Sequence, residues 1–240
     1  MKQEIMYKEL AKYYDLIYKG KDYKKEADKI KKLISRYKKS VGNNLLEAGC
    51  GTGYHLKFFE NEFSCVGTDI NRKMLDIAKK NVKKSVLKRL NMIDFRLNKQ
   101  FDVILCLFSS IGYVKNYSNL KKTINNFANH LKKGGIIIIE PWFEKSKYKT
   151  GVPWMSAYDG NDIKIARLNV SKVKNGTSIL DFHFLIAEKN KDVKYFVDRH
   201  RLGLFDIEKT LEIMKENGLK SMFLKNGLMK DRGLYIAVKN

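Results

Sequence analysis

Three glycines at alternate positions, Gly49, Gly51 and Gly53, follow an apolar run that begins Leu45-Leu46. Lacking a Cβ, glycine takes positive φ at no steric cost and lets a ligand approach the main chain. The stretch reads as a strand, a tight turn and a ligand loop. Its G-x-G-x-G spacing is not the G-x-G-x-x-G of a dinucleotide fingerprint, and no Gly-Lys-Ser/Thr follows to make a phosphate loop. A pyrophosphate is therefore not the favoured guest. Downstream, Cys65-Val66-Gly67-Thr68-Asp69 is a short β-like run ending in an acid, and a carboxylate accepts two hydroxyl hydrogen bonds at once. The same residues would also serve a plain strand-turn-helix with a capping Asp.

Before the core begins, Tyr13, Tyr14, Tyr18 and Tyr23 fall within eleven residues. Tyrosine offers a flat apolar face and a hydroxyl, which suits a pocket for a sugar or a sulfonium; the alternative is an aromatic brace for the N-terminal helix. Farther along, Ser109, Ser110 and Tyr113 follow a strongly apolar run, and Arg167 and His200 lie in alternating segments. His55, just past the glycines, reads as a polar helix-face residue.

The elements that position these groups follow from periodicity. Ala27, Ile30, Leu33, Ile34 and Tyr37 repeat at helical spacing, and residues 41–44 close that helix before the first strand. His55, Leu56, Phe58 and Phe59 open a second helix, and residues 71–82 a third. Residues 86–90 form a strand, and 101–108 a doubly buried one whose carboxyl end is where an open α/β sheet places reacting groups. Leu120, Ile124, Phe127 and Leu131 define a helix that Gly134-Gly135 stops, with a strand over 136–140. This alternation predicts a mostly parallel, Rossmann-like α/β sheet with helices on both faces.

Beyond Pro141 the pattern changes. Residues 163–174, 178–188 and 193–205 alternate like antiparallel strands, and Asn175-Gly176 is a hairpin signal. We read 1–141 as N-terminal helix and core, 142–205 as an inserted antiparallel lid, and 206–240 as the rest of the core. There Asp206 caps a helix and residues 233–238 supply the last strand.

At 240 residues the chain suits one domain with a full core. A net charge of +22 invites nucleic acid, but the lysines come in dispersed pairs such as Lys24-Lys25 and Lys79-Lys80 on polar helix faces, the pattern of a solvated surface. That field would also draw in an anionic small substrate. Cys50, Cys65 and Cys106 are odd in number and lack metal-ligand spacing, which implies reduced cytoplasmic thiols and no metal site. No apolar run is long enough to span a bilayer.

The loop Leu45-Leu46-Glu47-Ala48-Gly49-Cys50-Gly51-Thr52-Gly53, with Asp69, resembles the first motifs of the Rossmann-like methyltransferases that use S-adenosylmethionine. More narrowly, the chain resembles the N-methyltransferases that dimethylate nucleotide-linked deoxyaminosugars, as in desosamine and mycaminose biosynthesis. The strings that carry this are Tyr14-Asp15-Leu16-Ile17-Tyr18, Phe108-Ser109-Ser110-Ile111-Gly112-Tyr113, Glu140-Pro141-Trp142-Phe143, Ile165-Ala166-Arg167, His200 with Leu204-Phe205, and Arg232-Gly233-Leu234. They keep their order across nearly the whole chain and imply a seven-stranded core sheet.

That resemblance implies a homodimer and a cofactor pocket whose loop is Glu47, Gly49, Cys50, Gly51, Thr52 and Gly53. Tyr18 and Tyr23 would cover it, Asp69 would hold the ribose hydroxyls, and Ile70, Met74, Asn91, Met92 and Leu107 would complete it. Many relatives have an acid at Asn91, so this chain departs there. Ser109, Ser110, Trp142, Arg167 and Arg232 would bind the acceptor, with Arg167 toward its diphosphate; the alternative for Arg167 is a plain surface cation. The run of residues 225–231, ahead of Arg232, is a second departure, since relatives are rich in glycine and serine there.

The implied reaction is in-line displacement, a neutral amine attacking the sulfonium methyl while Tyr18 and Tyr113 orient it. His200 or water would take the amine's proton, or His200 would simply hydrogen-bond the acceptor. Two other readings share these residues. One is a methyltransferase for another small amine or hydroxyl compound; the other is a basic, cofactor-bound RNA-binding or RNA-modifying protein.

Overall fold

The computed structural model describes residues 5–229 and 231–240. Lys230, within the run before Arg232, lies outside them. Its largest unit is a seven-stranded sheet ordered β11-β12-β5-β4-β1-β2-β3. The strands are β1 (Asn44–Ala48), β2 (Ser64–Asp69), β3 (Val86–Arg89), β4 (Phe101–Cys106), β5 (Leu131–Ile139), β11 (Leu219–Leu224) and β12 (Leu234–Lys239). β3, β2, β1, β4 and β5 pair in parallel, and β12 runs against both its neighbours.

Alternation in the central strands builds two cores. Phe101, Ile104 and Cys106 of β4 and Ile137 and Ile139 of β5 face α4 (Tyr117–His130) and α5 (Ile207–Glu216). Val103 and Leu105 with Ile136 and Ile138 face α2 (Tyr23–Tyr37), which contributes Ala27, Ile30 and Ile34. Strands apolar on both faces belong at the centre of a parallel sheet. Asp22, Asn116 and Asp206 cap α2, α4 and α5 by accepting the amides of Lys25, Asn119 and Lys209.

A second, antiparallel sheet comes from β6 (Pro153–Asp159), β7 (Ile163–Val170), β8 (Lys172–Lys174), β9 (Thr177–Glu188) and β10 (Lys194–Gly203), ordered β10-β9-β7-β6 with β8 on β9. Asn175 and Gly176 both take positive φ between β8 and β9, as the hairpin signal requires. Against its inner face packs the N-terminal segment: Ile5, Met6, Leu10 and α1 (Ala11–Ile17) meet Ile165, Phe184 and Ile186.

Several expected boundaries shift. After the glycines there is one 3-10 turn, Leu56–Phe58, in place of a helix. Leu56 and Phe59 are both fully buried, and their i,i+3 spacing suits a 3-10 turn, which eclipses those positions. Gly134-Gly135 stops no helix, since α4 ends at His130 and Leu131 already pairs with Phe101. Gly134, at φ +73, instead admits close backbone, its carbonyl accepting the amides of Lys39 and Ser40. The strand read over 163–174 breaks at Ser171 into β7 and β8, and β6 and β11 had no assignment. β6 is a mostly exposed edge with Pro153 at its start, the place a strand tolerates proline. No helix among the described residues is long and apolar enough to cross a membrane.

Candidate active site

At the carboxyl ends of the parallel strands, under the antiparallel sheet, lies a cavity of ≈ 1010 Å³. Single-ligand pockets run to about 1,000 Å³, so this cavity stands at the upper end of that range.

One end is built by the glycine loop. Gly49 and Gly51 take φ of +73 and +55, and a Cβ on Gly49 would stand 2.8 Å from that of Ser110. Asp69 ends β2 with both oxygens partly engaged: Oδ2 accepts the Gly51 amide at 3.0 Å and Oδ1 the Asn71 amide at 2.8 Å. Each oxygen keeps lone pairs for a hydroxyl. Burial nevertheless raises the Asp69 pKa, against those hydrogen bonds.

Glu47 sits beside it on β1, 2% exposed, and its Oε2 has no hydrogen-bond partner. Burial first, and then the charge of Asp69, pushes the Glu47 carboxyl up to about 8. An orphaned buried acid in a cavity wall is satisfied by a cation. Cys50, Thr52, Ile70, Met74, Asn91, Met92 and Leu107 also line the cavity. Asn91 Oδ1 already accepts the Ile93 amide at 3.1 Å.

Gly53 is placed differently. It does not line the cavity; its φ of +75 turns the chain against α3 (Arg72–Asn81), where a Cβ would meet Val82 at 2.9 Å. His55 is a buried residue, not a helix-face one. Its Nε2 contacts Glu26 Oε2 at 2.7 Å, and its Nδ1 lies 3.8 Å from Glu47 Oε1. Burial lowers the His55 pKa, with Glu26 opposing. Tyr23 packs its ring edgewise on His55 at 4.8 Å and lines the cavity.

The middle of the cavity is the elbow after β4. Phe108 and Ser109 hold positive φ although neither is glycine, a conformation that costs about 1–3 kcal/mol per residue. Three bonds hold it: the Phe108 amide donates to Glu140 Oε2 at 2.8 Å, and Ser109 Oγ donates to the Pro141 carbonyl at 2.9 Å and accepts Arg232 Nη1 at 2.8 Å. Arg232 lies over the rings of Trp142 and Phe143, and Trp142 Nε1 donates to Ser178 Oγ of β9. Ser110 reaches back to the Gly49 carbonyl at 3.3 Å.

Rings form the far wall in unbroken contact: Phe108 on Tyr18, Tyr18 on Tyr14, Tyr14 on Tyr7, and Tyr7 on both Tyr113 and His200. Tyr13 is buried outside the cavity and serves as a brace. Arg167, expected either as a diphosphate ligand or as a surface cation, is 5% exposed. Its guanidinium stands 4.8–5.1 Å from the ring centres of Tyr18, Trp154 and Phe182, and its Nη1 donates to Tyr18 Oη at 2.9 Å. His200 is 4% exposed, with Tyr113 Oη 2.6 Å from Nδ1 and Asp198 Oδ2 2.7 Å from Nε2.

Sequence reasoning missed Tyr7, Trp154, Phe182 and Asp198. Asp198 had a signal, since it stands two residues before His200 and so shares its face of a strand. Tyr7 had none.

Comparison with known proteins adds a lineage. Residues 20–222 match the family described as a methyltransferase domain. The chain is 34% identical over 235 residues to the dTDP-3-amino-3,4,6-trideoxy-alpha-D-glucopyranose N,N-dimethyltransferase of Streptomyces venezuelae, covering 95% of this chain and 97% of that protein. Among solved structures, Streptomyces venezuelae DesVI superposes with a TM-score of 0.89 at 32% identity, covering 96% and 98% of the two chains. The sugar N-methyltransferase KedS8 from Streptoalloteichus does so with a TM-score of 0.86 at 27% identity, covering 95% and 92%.

Proposed function

The chain belongs to the methyltransferase domain family and uses S-adenosylmethionine, and from that premise we propose that it N-methylates the amine of a nucleotide-linked deoxyaminosugar. The observation that carries this is the single cavity that joins Asp69 and Glu47 to the ring wall under the antiparallel sheet. Relatives that match almost end to end bear names for that reaction on dTDP-aminosugars.

S-adenosylmethionine supplies, when bound, a methyl activated on a sulfonium. Asp69 would hold the ribose hydroxyls and Glu47 the ammonium. The flexed loop at Gly49 and Gly51 would admit the backbone approach. Residues 142–205 act as the acceptor lid. Tyr18, held by Arg167, and Tyr113, held by His200, orient the amine; fixing the reacting atoms is the main catalytic contribution that an activated methyl needs. Arg167 acts through Tyr18 and the rings it covers, and Arg232, beside Ser109, would meet the acceptor.

The enzyme works in the cytoplasm as a homodimer. In support, Cys50, Cys65 and Cys106 are free thiols. The outer face of the lid leaves Met155 and Tyr195 64% and 59% exposed, with Leu168 and Leu185 exposed between them.

The test is to incubate protein and S-adenosylmethionine with nucleotide-linked 3- and 4-aminosugars, simple amines and bulk tRNA, and to follow methyl gain by mass spectrometry. One or two methyls on an aminosugar nucleotide is the expected result. Methylation confined to simple amines or tRNA would refute the acceptor and leave the methyltransferase core intact.

A further inference from the structure

We infer that Asp198 sets the direction of a buried hydrogen-bond line through His200 and Tyr113 to Tyr7, and so makes the Tyr7 hydroxyl oxygen the group that takes the acceptor's proton. This rests on the amine acceptor proposed above. Asp198 is fully buried on β10, its Oδ1 accepting the Ile5 amide at 2.8 Å and its Oδ2 the Met6 amide at 2.9 Å and His200 at 2.7 Å. Burial opposes its ionisation, but the hydrogen bonds from His200, Met6 and Ile5 favour the carboxylate, and the Asp198 pKa is lowered.

A carboxylate only accepts hydrogen bonds, so His200 carries its hydrogen on Nε2. Nδ1 is then a lone pair, and Tyr113 Oη, 2.6 Å away, donates to it. A phenol has one hydrogen. With that of Tyr113 spent, Tyr7 is the donor in the 2.5 Å contact between the two hydroxyls. Tyr7 lines the cavity, and its oxygen is left as an acceptor.

Substrate amines arrive largely as ammonium near neutral pH. The ammonium N–H breaks as a proton passes to Tyr7 Oη; the Tyr7 proton moves to Tyr113, and that of Tyr113 to Nδ1. Positive charge leaves the amine, whose lone pair is freed for the methyl, and appears on an imidazolium beside the Asp198 carboxylate. The imidazolium returns its proton along the same line to solvent once product has left. Facing the imidazole are Asp198 from its own strand, the Tyr113 hydroxyl from the turn after β4, the Tyr7 ring from the N-terminal turn and, across the Phe182 ring of β9, the Arg167 guanidinium.

The experiment reads the line with and without acceptor. Nitrogen-15 spectra of the histidine rings in the uncomplexed protein should give the neutral Nε2–H tautomer for His200. Asp198→Asn removes the carboxylate charge from beside Nε2, so an imidazolium formed there loses its counter-ion. With an aminosugar nucleotide, Asp198→Asn and Tyr7→Phe should each lower kcat/KM about 100-fold near neutral pH. The Tyr7→Phe deficit should close as pH rises past the amine's own pKa, which a merely structural defect would not do.

If Asp198→Asn fails to fold, because it also holds Ile5 and Met6, Tyr7→Phe and the wild-type tautomer still decide. An Nδ1–H tautomer in the wild type, or undiminished kcat/KM for Tyr7→Phe from about pH 6 to pH 9, overturns the inference. A wild type that methylates no aminosugar overturns the acceptor instead, and the tautomer measurement still stands.

Discussion

Among single residues, Glu47 carries the sharpest pH dependence. Its folded pKa of about 8 lies above the ordinary glutamate value, so the folded state keeps a proton that the unfolded state gives up. Stability from this group is therefore full below about pH 4.3 and is lost as pH rises toward 8. Without cofactor, Glu47→Gln should raise Tm over wild type at pH 9, with the gap narrowing toward pH 4.5, as thermal unfolding across that range will read. S-adenosylmethionine binding should also release a proton below pH 8, measurable by calorimetry in buffers of different ionisation enthalpy, because the ammonium favours the ionised acid. Glu47→Gln should abolish that release.

Arg167 makes the second prediction at this scale. Arg167→Lys keeps the charge but loses the planar stack on three rings and the aim at Tyr18. It should lower kcat by about 10-fold or more with the S-adenosylmethionine Kd unchanged. Conversion of His200 to Gln with undiminished turnover would in turn remove any proton-accepting role for that ring.

The elements differ in how openly the sequence declares them. α2, α4 and α5 announce themselves through a capping side chain followed by apolar residues at helical spacing, and all three caps form. Asp206→Ala should therefore cost about 1 kcal/mol in urea unfolding. Gly134 is a different case. Gly134-Gly135 looks like a helix stop, yet Gly134 serves the close approach of residues 39 and 40, contacts almost a hundred positions distant in sequence. Gly134→Ala puts a Cβ 2.9 Å from the Ser40 nitrogen at positive φ, and should destabilise by more than about 1 kcal/mol. β6 and β11 went unassigned because edge strands bury little and so carry a weak period-2 signal.

At the scale of the whole molecule, the antiparallel sheet proposed above as the acceptor lid has two faces of different character. Its inner face carries Arg167, Asp198 and His200 at buried positions of β7 and β10. Its outer face lines up Met155 with Leu168 and Leu185 with Tyr195 across neighbouring strands, all exposed. Contiguous apolar surface of this kind marks an interaction site. Leu168→Lys combined with Leu185→Glu should shift the protein from dimer to monomer in light scattering at micromolar concentration. A wild type that is already monomeric would refute the homodimer.

Resemblance to a known family implied the reaction class, while spacing within the sequence determined the parallel core, the glycine loop and Asp69 at the end of its strand. Each of these is written in local spacing: period 2 or 3.6, a capping side chain, a residue that must take positive φ. Tertiary structure decided the rest. Only folding brings Tyr7 to Tyr113 and His200, residues 106 and 193 positions away. It also makes Gly53 a packing residue, turns Arg167 from a candidate surface cation into a buried stack, and leaves Glu47 an orphaned acid. The reason is physical. Burial, ring contact and hydrogen-bond direction depend on what lies opposite a side chain, and in a sheet with long crossovers the opposite residue comes from a distant part of the chain.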